Sequence, residues 1–163
     1  MAVDMFLNLG SVVGESLDVV HKNEIDVLGW QWGLRQSGTM HLGTGGGGGK
    51  VAVKDLVIHK FTDRASAAIL NTCTTGKHFP KAKLTIRKAG GPKPLEYLLL
   101  ELEKVLVTAY STNAADGNER IRETITLNFE KFHLSYRQQD PTTGSALGGV
   151  VESRWNIPAN ATD

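Results

Sequence analysis

Cysteine is almost absent: Cys73 is the one thiol in 163 residues. A lone cysteine excludes an intramolecular disulfide framework. Charge of one sign is missing too, since 18 Lys and Arg face 17 Asp and Glu for a net +1. A dedicated nucleic-acid binder needs an excess of cations against phosphate. Aromatic residues make up 7% of the chain, and few of them interleave with the basic residues of Lys77 to Pro94 as base-stacking platforms would. No apolar run approaches the roughly 18 residues of a membrane-spanning helix. The start, Met1 to Gly10, has neither a basic leader nor a small-residue cleavage pattern. The expectation is a chain made and folded in the cytoplasm, exported only by a route that reads the folded protein.

What remains is ordinary for a globular domain: 40% hydrophobic and 21% charged residues. At this length a chain buries roughly 70% of its unfolded surface, enough to hold a core without metal or disulfide. Neither composition break nor internal repeat divides it, so residues 1–163 are expected to form one domain, ending in a short tail over 158–163.

Glycine is the outlier at 18 residues, and it punctuates. Turn signals at Gly10, Gly14, Gly38, Gly43 to Gly49, Gly76, Gly90-Gly91-Pro92, Gly117, Gly144 and Gly148-Gly149 separate short apolar segments. That rhythm predicts a mainly β fold, a barrel or sandwich. Candidate strands are Val3–Leu9, Ile25–Leu34, Lys50–Lys60, Lys81–Lys88, Leu95–Tyr110, Glu119–Arg137 and Val150–Ile157. In Leu28–Leu34 the even positions are bulky, which places Trp30 and Trp32 on the core face and Gln31 outside, between Gly29 and Gly33. In Ile121–Phe129 the odd positions face in, with Glu123 the exception. After Lys131 the parity flips to Phe132, Leu134 and Tyr136, the mark of a bulge or sharp bend. One helix is expected at about Arg64 to Thr75, capped by Asp63, closed by Gly76, and burying Ala65, Ala68, Ile69 and Cys73. Leu95, Leu98, Leu99, Leu102, Val105, Leu106 and Ala109 also follow helical spacing, so periodicity alone reads that stretch as helix.

The search for chemistry returns little. Gly49-Lys50 is followed by Val51, so the phosphate-loop pattern fails. Gly43, Gly45 and Gly48 match a dinucleotide fingerprint by letters, but a strand-like segment follows where a helix should open. His21, His41, His59, His78 and His133 have no metal-site spacing. Cys73 and His78 read as a small buried residue beside a loop histidine. Gly14-Glu15-Ser16-Leu17-Asp18 fails the nucleophile-elbow pattern at its last position. No catalytic residue, cofactor or metal is nominated. Lys77, Lys81, Lys83, Arg87, Lys88 and Lys93 form a basic stretch free of acids. It reads as a solvated strand face or as a patch that meets acids on a neighbouring subunit. Glu96, Glu101 and Glu103, or Asp116, Glu119 and Glu123, could supply those acids.

Taken in order, these segments resemble the haemolysin-coregulated protein (Hcp) family, the tube subunit of bacterial type VI secretion. The resemblance rests on the start Met1 to Phe6, Gly14-Glu15-Ser16, Ile25 to Gly33, and Gln36 to His41 running into the glycine tract. The most specific block is GKHFPKAKLTIRKAGG from Gly76 to Gly91; Thr126 to Phe129 and Trp155-Asn156-Ile157 follow. The sequence departs from many members at Pro92 and Pro94. The resemblance implies a barrel of two packed antiparallel sheets with one flanking helix, and makes Leu95–Tyr110 a strand hairpin region. It implies hexameric rings stacked into an exported tube, with a spike at the tip, a contractile sheath outside and effector proteins in the lumen. Secretion would then follow firing, into the medium or a target cell. A domain of this length has a radius of gyration of roughly 15 Å, so six in a ring leave a hole about one domain wide. Only Pro158–Asp163 follow the last motif, which points to the bare tube form. Gln31 is the candidate lumen residue. Gly45, Gly46, Gly47 and Gly48, with Lys77, Lys81, Lys83 and Arg87, are the candidate ring or stacking residues. The competing reading is a monomeric small-ligand carrier barrel.

Overall fold

The longest strand sets the architecture. In the computed structural model, which describes residues 3–42, 47–88 and 94–162, strand β8 (Glu96–Asn113) runs through both layers of the molecule. The other strands are β1 (Val3–Leu9), β2 (Ile25–Asp26), β3 (Gly29–Gln31), β4 (Leu34–Arg35), β5 (Ala52–Val53), β6 (Leu56–Phe61), β7 (His78–Lys88), β9 (Arg122–Asn128), β10 (Lys131–Gln139) and β11 (Ala146–Asn156). Helix α1 (Ser66–Thr75) lies beside them.

The first half of β8 pairs with β7 on one edge and with β10 on the other; the second half pairs with β9. One layer is therefore β2-β1-β7-β8-β10-β11 and the other β8-β9-β6-β3, with every pairing antiparallel. The corner lies at Lys104, which has φ 51°, and at Phe129–Glu130 on the adjoining edge, where Glu130 N–H donates to Glu103 O. Across β7, Lys104 faces Pro80, which has no N–H to give a ladder. The parity flip expected near Lys131 is this corner.

The two ends of the folded sheet meet through one segment. Val27 N–H donates to Met5 O (2.9 Å) and Leu28 N–H to His59 O (2.8 Å), handing the chain from β1 to β6. The sheet thus folds over on itself without closing into a continuous barrel ladder, and β4–β5 form a separate two-stranded ribbon. Between the layers lie Leu7, Leu9, Ile25, Leu56, Ile58, Leu84, Leu100, Leu102, Ile125 and Leu127, all at 1% exposure or less.

Several expectations need correction. Leu95–Tyr110 is not the helix its periodicity suggests: from Glu96 on it belongs to one 18-residue strand that pairs antiparallel with β7 and β9, as the strand hairpin reading implied. Its buried residues are Leu100, Leu102, Val105 and Val107. The corner at Lys104 resets the period-2 alternation, and a further register shift lies between Val107 and Ala109, so the spacing imitates a helix. Leu28, Leu34 and Ile121 are 44–51% exposed, so none of them is core. The handover at Val27–Leu28 flips parity before Trp30. Helix α1 begins at Ser66, two residues later than expected; Asp63 Oδ1 accepts Ala65 N–H at 2.9 Å, just ahead of it. Its buried face carries Ser66, Ile69 and Thr72, while Ala68 is exposed. Gly76 does end it, at φ 68° in the left-handed region. Residues 158–162 turn back on β11, with Asn156 N–H donating to Ala161 O at 2.8 Å.

Helix α1 is pinned by a buried ionic cluster. Lys60 stands on the inward row of β6 with Leu56 and Ile58 and directly opposite Glu123 of β9. Its Nζ lies 2.8 Å from Glu123 Oε2 and 2.8 Å from Asp63 Oδ1, and donates to Phe61 O and Ser66 Oγ. Tyr110 O–H donates to Glu123 Oε1 at 2.8 Å. Burial pushes the Glu123 carboxyl up, but the bonds from Lys60, Thr62, Tyr110 and Ser66 outweigh it and hold the pKa below its ordinary value. Burial, aided by Glu123, raises the Tyr110 phenol to about 12.

Candidate assembly surface

Alternation along β7, β8, β10 and β11 turns a row of charges outward. In register across the four strands stand Lys83, Glu101, His133 and Arg154; one step along stand Lys81, Glu103, Lys131 and Asn156. Lys81 Nζ is 3.9 Å from Glu103 Oε1, with both side chains exposed. His133 lies between Glu101 and Glu152, its two ring nitrogens 3.3 Å from one carboxylate each, and Arg154 reaches Glu152 at 3.3 Å. Lys81, Glu101, Glu103, His133 and Arg154 border a shallow cleft of about 190 Å³ floored by Leu102 and Phe132. Exposed ion pairs contribute little to folding; a two-sign ladder instead fixes the register of whatever docks on it.

This arrangement redistributes the basic stretch. Lys77 and Lys81 are exposed and Lys83 is half-buried. Glu103 and Glu101, read as acids of a neighbouring subunit, stand opposite Lys81 and Lys83 in the same chain. Glu123 is buried on Lys60, whereas Asp116 and Glu119 are exposed in the β8–β9 connection. Lys93 lies outside the described residues. Arg87 is 7% exposed and committed within the chain. Its guanidinium donates to Asp4 Oδ2 at 3.2 Å and to both oxygens of Asp18, and sits 4.9 Å over the Phe6 ring. The bond from Arg87 holds the Asp18 carboxyl down at about 2 against the effect of burial.

Gln31 is exposed on β3, at the end of the sheet path and in register with Val57. Trp30 and Trp32 pack against the core, Trp32 edge-on to Phe132 with its Nε1–H donated to Lys54 O. Gly33 leaves open space beside the amide. Of the glycine tract, Gly45 and Gly46 lie outside the described residues. Gly47 and Gly48 form one side of a narrow ribbon: Gly47 exchanges bonds with Thr39, and Gly48 bridges Gly38. The base of the loop is thus clipped.

The model of one family, described as "Type VI secretion system effector, Hcp", matches residues 6–136. Protein hcp1 of Pseudomonas aeruginosa is 49% identical over 160 residues, covering 98% of each chain. This chain belongs to the Hcp family. Among solved structures it is similar to Hcp1 from Salmonella typhimurium (38% identity, full coverage of both chains, TM-score 0.82). It is also similar to a structure described as a type six secretion system protein (32% identity, 99% of this chain and all of that one, TM-score 0.92).

Within this Hcp chain, sequence reasoning missed two clusters. By pattern alone Lys60 is the end of a strand and Arg87 a cation of the basic stretch. Glu123 at a core-facing parity was the available signal for the first, because a buried carboxylate calls for a buried cation. Nothing local signalled the second, whose partners lie 69 and 83 residues away. Among the described residues no group of three or more His, Cys, Asp or Glu is placed to hold a metal ion.

Proposed function

We propose that this chain is a structural tube subunit of a type VI secretion system, assembling into hexameric rings that stack and carry effector proteins in the lumen. The observation that carries the reading is β11. Among the described residues it pairs with β10 on one edge, its other edge carries only the bridge from its last residue, Asn156, to Ala161, and its first nine residues are exposed. Leu147, Val150 and Val151 stand on it at 42–68% exposure. A long apolar edge strand of this kind is a template for another chain, and the charge ladder beside it supplies register. The core between the layers is filled by large aliphatic side chains, which disfavours a monomeric ligand carrier. The work is mechanical and cargo-binding and asks for no catalytic group.

In this reading the tube meets a spike at its tip and a contractile sheath outside, and leaves the cytoplasm when the machine fires. Gly47, Gly48 and the charged row lie at subunit boundaries, and Gln31 faces cargo through an amide that both donates and accepts. The test is Gln31→Arg. Rings that form normally while cargo retention falls support the lumen role; loss of rings moves Gln31 to the subunit interface.

A further inference from the structure

The loop between β1 and β2 is built inside out. Two of its polar side chains turn fully inward: Ser16 is 2% and His21 2% exposed. Asp18 accepts Val20 N–H and His21 N–H on one oxygen and is clamped by Arg87. His21 stacks on Phe6 and lies between Glu24 and Glu96, at 2.8 and 3.0 Å. Gly14 N–H to Asn23 O and Ser16 N–H to Glu24 O close the base. Between the exposed Glu15 and the exposed Lys22 and Asn23, three apolar side chains point outward: Leu17 at 93%, Val19 at 94% and Val20 at 70% exposure. Isolated apolar residues on a surface are normal; three within four residues, on a loop whose Ser16, Asp18 and His21 are committed inward, form a presented knob. Because the backbone is already fixed, little ordering entropy opposes insertion.

The same chain holds a receptor of matching chemistry. A cleft of about 310 Å³ combines the apolar Leu34, Val51, Phe132 and Trp155 with polar side chains, Arg154 among them. It lies at the other end of the first layer. The knob is anchored at Glu96, while the cleft floor, Phe132, is in register with Leu102. Six residues along β8 separate the two, about 20 Å at roughly 3.3 Å per residue. A second apolar cleft, with Leu95, Tyr97, Leu99, Tyr136 and Val150, lies at the knob's own end. A knob seated there brings like ends of two copies together, a contact that closes as a two-fold dimer. A knob seated in the far cleft is heterologous and repeats from copy to copy. Only the second geometry propagates along the strand direction.

We propose that Leu17, Val19 and Val20 of one copy insert into the Leu34–Val51–Phe132–Trp155 cleft of a second copy, joining subunits head to tail. The proposal rests on the tube-subunit reading and names the contact through which copies follow one another.

The test places Val19→Cys and Leu34→Cys together in a Cys73→Ser background and treats the assembled protein with a short bismaleimide. The expected result is a ladder of covalent multimers of three or more copies, with each single-cysteine control giving dimers at most. In parallel, Leu17→Lys/Val19→Lys should raise the concentration needed for assembly by about tenfold or more, the range for burying one aliphatic side chain. Both side chains are exposed, so the thermal unfolding of this variant should match the parent and exclude a folding defect. If the parent assembles but the double-cysteine chain yields no ladder, or dimers alone, the knob contact is wrong and the tube reading stands. If the parent remains monomeric at every concentration, the tube reading fails and the knob contact falls with it.

Discussion

Lys60 Nζ lies 2.8 Å from Glu123 Oε2, in a cross-strand pair between β6 and β9 that is closed to solvent on both sides. Removing one member of a buried pair strands the other. Lys60→Met leaves Glu123 and Asp63 buried without their cation, and should cost about 3–5 kcal/mol in urea unfolding. Lys60→Met combined with Glu123→Gln should recover a large part of that loss. A single variant within 1 kcal/mol of the parent would contradict the structural role assigned to the pair.

Acid should loosen the chain at two places. Asp18 and Glu123 both have folded pKa values below their ordinary ones. Each contributes stability that is present above the unfolded carboxyl pKa, near 4. That stability is lost as pH falls, through about 2 for Asp18. Arg87→Gln removes the main cause of the Asp18 depression. The stability gap between parent and variant should be widest at neutral pH and narrow toward pH 2. A gap independent of pH would show that Arg87 acts by packing on Phe6 alone.

Gly14 lets the knob loop close. A Cβ there would meet Glu24 O at 2.3 Å and Ile25 Cα at 2.8 Å, both backbone atoms that cannot swing aside. Gly14→Ala should cost about 1–3 kcal/mol, the usual range for overpacking, whereas Gly33→Ala faces open space and serves as the mild control. Equal melting temperatures for the two variants would refute the close approach.

The charged row can be tested by reversal. Lys81→Glu with Lys83→Glu should weaken assembly, more at low salt than at high, because like charges then meet across the boundary. The same change also sets acids opposite Glu103 and Glu101 within the chain. The swap Lys81→Glu/Glu103→Lys keeps the internal pair while inverting the pattern shown to a neighbour. If the swap alone restores assembly, the row acts within the subunit and not between subunits.

Much of this was legible in the sequence, and what was not follows a physical rule. Strand β1 has the limits the alternation gave, Gly76 ends the helix as its left-handed φ requires, and Trp30, Gln31 and Trp32 take the sides their parity assigned. Local pattern failed where the chain changes partners. At Lys104 one strand turns a corner between layers and its alternation restarts, so an apolar spacing of three looked helical. At Val27–Leu28 the pairing passes from β1 to β6, and Leu28 and Leu34 move to the surface. The Arg87–Asp4–Asp18 set is invisible for a different reason: its members are ordinary surface residues until the fold brings them together. The family was readable from ordered motifs, but the outward turn of Leu17, Val19 and Val20 was not, because no local periodicity assigns them a face.

The mass of the purified chain in dilute, near-physiological buffer tests the account most directly. One copy weighs 17.7 kDa. Native mass spectrometry or sedimentation should find a closed species of six copies, about 106 kDa, with longer stacks as concentration rises. A single species near 17.7 kDa at every concentration would contradict the tube subunit and leave a monomeric barrel in its place.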